Sequence, residues 1–529
     1  MSTPSMSMET PSMETPSTDT SSTGAPSLGT PRRIAVIGAG MAAARLAQQT
    51  LAQAPPGTLD ITLYGHEPHA PYNRALLAGV LDGRYPPEAL TLPTGGATVR
   101  TDTEVVAIDT ASHTLRTATG ETFPYDTLIL ATGANPVLPP IRNLHISPPP
   151  PPSPLVRSAP PSLLGRRGRP PGASGASPAR TELRAWGRAG KGAAPALRAH
   201  PAAAPPSPGT AAPSSVAPPH PRTATPSDPT PTPTPPTPTT TPDLKLGVHP
   251  FRTLTDSTTL AQAARQATRA IVIGGGLLGV SATRALAALD IPTELIHQAP
   301  HLMDRHLDDE AAATVRRALE GMGAAVYTGN RARALQGDTA VTGVELANGH
   351  VLTCDLVVLA CGVRPRTGLA RTAGIEVRRG IVVDDTLATS APDVYAIGDC
   401  TEHRGAVHGV TGPAWAQADT LAARLSGKDP DATYTGTHGT ARLTAGPLEI
   451  AAFGETDDSA GDALRLADGT RGTYGSYKKL VMRGDRLVGA ILVGDLAAIG
   501  ELTRTYERGE PLPPRPLDLL TPLSEGAAL

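Results

Sequence analysis

Residues 33–51 read RIAVIGAGMAAARLAQQTL and residues 269–287 read RAIVIGGGLLGVSATRALA, and the two stretches are built alike. Each runs from a short apolar strand, Ile34 to Ile37 or Ile271 to Ile273, through a glycine turn into a helix rich in Ala and Leu. The first turn is Gly38-x-Gly40-x-x-Ala43 and the second is Gly274-x-Gly276-x-x-Gly279. In such a turn the first glycine permits the reversal, the second lets backbone approach a pyrophosphate, and the third small residue lets helix pack closely on strand. The helix N-terminus then offers free N–H groups to the phosphates. One such turn is weak evidence, because a glycine-rich loop needs no ligand. Two in one chain predict two dinucleotides, most economically one flavin and one nicotinamide.

Working outward, a second strand, Ile61 to Tyr64, follows the first turn and is succeeded by Glu67, whose carboxylate suits a ribose diol or a plain surface position. The strand after the second turn, Thr293 to Ile296, ends instead at His297 and Gln298. Neither an acidic residue for a 2′-hydroxyl nor an arginine for a 2′-phosphate stands immediately there, so NADH and NADPH both remain open. Between the units lies TLILATGANPVLPPI, in which a strand Thr127 to Leu130 leads into Ala131-Thr132-Gly133. DLVVLACGVRP repeats that pattern after the second unit with Gly362, Arg364 and Pro365, and APDVYAIGDC delivers Gly398-Asp399 from a strand Val394 to Ile397.

In this order and spacing, the motifs resemble those of the pyridine-nucleotide flavoprotein oxidoreductases of glutathione-reductase fold. The resemblance implies an α/β protein with two Rossmann-like dinucleotide-binding domains and a small α+β C-terminal domain. Its FAD-binding domain would be discontinuous, residues 32–145 and 376–428, enclosing an NAD(P)H-binding domain of 246–375; the small domain would occupy 430–519. It also implies that Asp399 bonds the flavin ribityl chain, with Gly38, Gly40 and Glu67 serving the adenosine half. A helix N-cap is the structural alternative for Asp399. Arg74 and His403 are the nearest polar candidates to the flavin by resemblance, each with a structural alternative.

Composition sets the limits of the fold. Residues 1–31 are almost entirely Ser, Thr, Met, Pro, Gly and Glu, and the segment 146–245 carries 28 of the 57 prolines. Neither buries enough apolar surface to offset its ordering entropy, so a disordered tail and a disordered Pro-rich insert are expected, with a further tail at 520–529. The formal charge of −2 gives no global field for nucleic acid or an anionic membrane. No stretch approaches the length of a membrane span and no basic-then-apolar leader opens the chain, so a cytoplasmic protein is expected.

Cys354, Cys361 and Cys400 are the three cysteines. Disulfide reductases of this fold place a redox pair on the first helix after the flavin loop, and no cysteine here precedes residue 354. Thiolate chemistry at the flavin is therefore disfavoured, and Cys361 and Cys400 are read as packing residues. Three runs, GHEPHAPYNRALLAGVLDG (65–83), LMDRHLDDEAAATVRRALEGMG (302–323) and CTEHRGAVHG (400–409), resemble the flavoprotein part of NAD(P)H-dependent assimilatory nitrite reductase large subunits. They also resemble the electron-transfer subunits of assimilatory nitrate reductase. Rubredoxin and ferredoxin reductases share much of the first run but carry a lysine where this chain has Ala78 and Gly79. Ser281 stands where relatives often have glutamate, and the insert interrupts the link between the two nucleotide domains. The chain stops after a small domain whose YKKLVMRGDRLVGAILVGD (477–495) predicts a hairpin turning at Gly484-Asp485, so nitrite reduction would need other modules.

The expected function is electron passage from NADH or NADPH through FAD to a redox protein, a nitrate or nitrite reductase subunit. No catalytic nucleophile or metal ligand is expected, and a homodimer is allowed. A rubredoxin or ferredoxin reductase is the first alternative. A nucleotide-binding sensor or interaction protein, using the basic insert for contacts, is an alternative of another class.

Overall fold

The computed structural model describes residues 30–146, 243–436, 441–445, 448–469 and 473–520. The expected tail at 1–31 (except its last two residues), most of the expected insert, and the tail beyond Leu520 lie outside the described residues.

Two parallel five-stranded sheets repeat one plan. In the first, the strand Arg32–Ile37 lies at the centre, with Leu59–Tyr64 and then Thr98–Arg100 on one side, and Thr127–Leu130 and then Val394–Ala396 on the other. In the second, Ala270–Ile273 is central, flanked by Thr293–Ile296 and Ala325–Tyr327 on one side and by Leu356–Leu359 and Val248–Pro250 on the other. The apolar runs fit strands covered on both faces: Ala270–Ile273, Thr127–Leu130 and Leu356–Leu359 are buried throughout. In each sheet the glycine-turn strand sits where the strand order reverses, the place where open α/β sheets bind ligands.

The halves are tied at two places. The segments leaving the two sheets pair with each other, Ala134–Pro136 antiparallel to Val363–Pro365. The helix Leu77–Leu81 packs on the helices Leu254–Ala264 and Leu277–Ala287, where Arg284 donates to Asp82 at 2.6 Å with both side chains under 5% exposed. Around the insert the chain closes on itself, Ile146 N–H donating to the Asp243 carbonyl at 2.9 Å. The packed chain resumes before the expected boundary at 245, because the buried Lys245 places its ammonium on the carbonyls of Gly337 and Asp338. Among the described residues no helix is long and apolar enough to cross a membrane.

The C-terminal sheet is antiparallel, in the order Ala441–Ala445, Leu448–Gly454, Arg486–Val493, Ser476–Arg483 and Asp462–Asp468. Its hairpin turns at Gly484-Asp485 as expected, with Arg483 opposite Arg486 and Gly484 at φ +64°. Alternation divides its side chains. Ile450, Ala452, Tyr477, Ile491 and Val493 share a core with Leu286, Ala311, Val315 and Leu319 from the helices flanking the second parallel sheet. Ala451, Phe453, Leu480 and Leu492 pack under Leu502 of the helix Ile499–Arg508. Asp308 fixes the first contact: it caps the helix Asp309–Gly321 and accepts from Tyr477 Oη at 2.8 Å and from Lys479 Nζ at 3.1 Å.

Candidate functional site

The two glycine turns are superposable in their bonding. Gly38 N–H donates to the Tyr64 carbonyl and Ala131 N–H to that of Ile37, both at 2.8 Å; Gly274 and Ala360 donate in the same way to Ile296 and Ile273, both at 2.9 Å. Gly38 (φ +110°) and Gly274 (φ +113°) are in a conformation that favours glycine, and a Cβ on either would lie within 2.3 Å of a carbonyl oxygen, Ala131 O or Ala360 O. A Cβ at Gly279 would lie 1.7 Å from the Gly274 oxygen, so close helix-to-turn packing demands its absence. Ala43, fully buried, plays the corresponding part in the first turn. Neither Ala43 nor Gly279 borders the cavity described next; they act through packing. At Gly40 and Gly276 the Cβ position is open, which is the space a pyrophosphate needs, and no side chain caps the helices Met41–Gln53 and Leu277–Ala287 that begin there.

Both turns open onto one cavity of about 1650 Å³. A single small-molecule site occupies roughly 300–1,000 Å³, so this space suits two ligands. Its wall includes Gly38, Gly40, Glu67, Arg74, Ala131, Thr132 and Gly133 from the first half, Gly274, Gly276 and Gly362 from the second, and Gly398 and Asp399 from the turn that follows the strand Val394–Ala396. The paired exit segments keep the halves facing. Val137 N–H donates to the Gly362 carbonyl, Arg366 N–H to that of Gly133, and Thr132 Oγ1 to that of Arg366 at 2.7 Å.

Two ion pairs lie on the cavity wall. Arg74 donates to Glu67 Oε1 at 2.5 Å and Tyr72 Oη to Glu67 Oε2 at 2.6 Å. Burial alone would raise the Glu67 carboxyl, but the Arg74 charge and both hydrogen bonds outweigh it and hold the carboxyl below its ordinary range. Burial also pushes the Tyr72 phenol up. Asp399 accepts from Arg252 at 2.5 Å, and the Nε of Arg252 remains buried without a hydrogen-bond partner, a donor left over beside the cavity. Open Cβ positions at two uncapped helix starts and a spare buried donor fit two phosphate-bearing cofactors, FAD and a nicotinamide nucleotide.

Some expected roles change. Asp399 is not a helix N-cap: it lies in the short turn Gly398–Cys400, which leads into the strand Thr401–His403. His403 is buried away from the cavity, 2.8 Å from Asp385 and packed on Tyr434. Ser281 is also buried, its hydroxyl donating to the Leu277 carbonyl. Arg364 does not line the cavity, whereas Pro365 does. Cys361 borders the cavity, but burial pushes its thiol up to about 11; burial raises Cys354 to about 12 and also raises the fully buried Cys400. None is poised as a thiolate near neutral pH.

Sequence reasoning missed Arg252, Arg366, His66 and Trp415, all on the cavity wall. Arg252 immediately precedes the capping box Thr253-x-x-Asp256, a legible helix start, yet its partner lies 147 residues further on. Arg366 donates to His66 at 2.9 Å, and burial together with that positive charge lowers the imidazole, which therefore accepts as a neutral ring.

Comparison with known proteins agrees with this geometry. The family model of pyridine nucleotide-disulphide oxidoreductases matches residues 32–148 and 224–418, and that of the rubredoxin NAD+ reductase C-terminal domain matches 441–510. The chain is 29% identical to a nitrite reductase [NAD(P)H] of Bacillus subtilis (strain 168), over 94% of this chain and 50% of that one. It is 28% identical to an assimilatory nitrate reductase electron transfer subunit of the same organism, over 88% and 48%. The chain thus spans about half the length of these curated relatives. Among solved structures, a ferredoxin reductase from Rhodopseudomonas palustris superposes with a TM-score of 0.63 at 22% identity, covering 90% of this chain and 96% of that one. With the family model matching more than half of its residues, the chain belongs to the pyridine nucleotide-disulphide oxidoreductase family.

Proposed function

We propose that this chain passes electrons from a reduced nicotinamide nucleotide through FAD to a separate redox protein, a nitrate or nitrite reductase of assimilation. Family membership makes it an FAD-dependent NAD(P)H oxidoreductase. The observation that carries the proposal is the single cavity onto which both glycine turns open. The absence of a poised thiolate beside it favours an external acceptor over a disulfide of the chain's own.

FAD bound there would supply the redox chemistry, as an acceptor of hydride from nicotinamide and a donor of electrons to the partner. The chain binds, orients and excludes water. The helix starts at Met41 and Leu277 receive phosphates. Asp399, held by Arg252, is assigned to the flavin ribityl chain. Glu67 is assigned to the adenosine ribose; both its oxygens are engaged, but each retains lone-pair capacity for a hydroxyl donor. Arg74 sets the Glu67 carboxylate in place.

The two Bacillus subtilis relatives support the choice of acceptor. A rubredoxin or ferredoxin acceptor is the second reading, favoured by the C-terminal family model. NAD(P)H oxidation by FAD-reconstituted protein, supplied in turn with an artificial one-electron acceptor, an assimilatory nitrate or nitrite reductase, rubredoxin and ferredoxin, separates them. Repeated turnover with the artificial acceptor and fastest turnover with the assimilatory reductase is expected. Faster turnover with rubredoxin or ferredoxin moves the assignment to the second reading, and a single slow reduction without turnover contradicts both. A cytoplasmic location and a homodimer belong to the same proposal, and cell fractionation and sedimentation of the full chain test them.

A further inference from the structure

The adenosine end of the nicotinamide site is defined by the residues after the strand Thr293–Ile296, where a carboxylate selects a 2′-hydroxyl and a nearby arginine accommodates a 2′-phosphate. His297 fills that position with both ring nitrogens in use. Its Nδ1 accepts the Gly275 N–H at 3.0 Å, so Nε2 carries the proton and faces Asp304 Oδ1 at 3.2 Å. Asp304 is the one carboxylate among the described residues lining this end, and that contact turns it towards the ring.

The next strand, Ala325–Tyr327, ends in a loop folded against the same place. Gly329 N–H donates to the Ala299 carbonyl at 2.8 Å and Asn330 N–H to that of His297 at 3.2 Å. Arg331 is thereby brought to the wall beside His297 to Ala299, while Arg305 follows Asp304 on the same wall. Both are exposed residues, and among the described residues neither forms an ion pair with a carboxylate. Arg333, also on the wall, is engaged with Glu345 at 3.3 Å, and burial keeps His306 biased to its neutral form. Two arginines without a carboxylate partner among the described residues line this end, and its lone carboxylate, Asp304, is turned through Oδ1 onto the His297 ring.

We infer that the chain takes NADPH in preference to NADH, with Arg305 and Arg331 holding the 2′-phosphate. A phosphate monoester carries about −1.5 to −2 charge near neutral pH and offers several acceptors, which guanidinium forks match. The inference rests on the nicotinamide reading of the Gly274–Gly279 turn.

Calorimetric titration of the FAD-loaded protein with adenosine 2′,5′-bisphosphate and with 5′-AMP tests it without turnover. The bisphosphate is expected to bind at least about tenfold more tightly, the equivalent of about 1.4 kcal/mol. Arg305→Ala and Arg331→Ala, both at exposed positions, are each expected to reduce that ratio, and the double variant to abolish it with 5′-AMP binding little altered. Equal binding of the two nucleotides overturns the inference, as does a ratio that survives in the double variant. If the nucleotides bind alike while NADH bleaches the flavin, only the NADPH preference falls. If neither nucleotide binds and neither NADH nor NADPH bleaches the flavin, the proposed function falls as well.

Discussion

Gly276 and Gly279 stand three residues apart in one turn and have opposite physical reasons to be glycine. A methyl group at 276 meets nothing within 4 Å, whereas one at 279 would meet the Gly274 oxygen at 1.7 Å. Gly276→Ala is therefore expected to leave chemical stability almost unchanged and to weaken nicotinamide binding by about tenfold or more. Gly279→Ala should lower stability by about 3 kcal/mol, read by urea denaturation. Cys361→Ser is expected to leave flavin reduction intact, because a thiol raised to about 11 supplies no thiolate at neutral pH; loss of reduction in that variant would restore thiol chemistry to the mechanism. Glu67 carries a pH signature. Its carboxyl is depressed in the fold, so its stabilising contribution is complete above the ordinary carboxylate range and is lost as pH falls through the lower folded value. Glu67→Gln should reduce stability by about 1–3 kcal/mol at pH 7 and narrow its difference from the parent in acid, measured as Tm against pH. The glycines were legible in sequence because each acts within its own turn. The displacement of His403 from the cavity was not, since its place depends on Asp385 and Tyr434 from other segments.

Among the elements, the strand–turn–helix units and the C-terminal hairpin follow from local patterning: apolar runs, a glycine turn, and a Gly-Asp reversal between two alternating strands. What local patterning does not contain is which faces meet. The C-terminal sheet shares a core with the helices of the second parallel sheet, and its contact there is fixed by Asp308, whose place at the helix start gives no sign of the sheet it meets. Asp308→Ala removes a helix cap together with acceptors for Tyr477 and the buried Lys479, and should cost about 2–4 kcal/mol. Tyr477→Phe, which deletes one hydroxyl, should cost about 1 kcal/mol. Equal effects in urea denaturation would mean that the cap and the lysine contact contribute nothing. Arg252 and Asp399 illustrate the same limit, since their pairing across 147 residues has no local sequence signal.

In the whole molecule, two copies of one sheet plan face each other because their exit segments pair and because Arg284 and Asp82 join the halves in a buried contact. That juxtaposition opens both glycine turns onto one cavity. Duplication of the glycine turn predicted two nucleotide sites; the pairing of Ala134–Pro136 with Val363–Pro365 is what holds the two turns over one space. The decisive measurement is an anaerobic titration of the FAD-loaded full chain with NADPH and with NADH, monitored by flavin absorbance. One bound flavin per chain, bleached by one equivalent of reduced nicotinamide, is expected. Protein that stays colourless after FAD reconstitution, or bound flavin that neither nucleotide bleaches, would contradict the shared-cavity account.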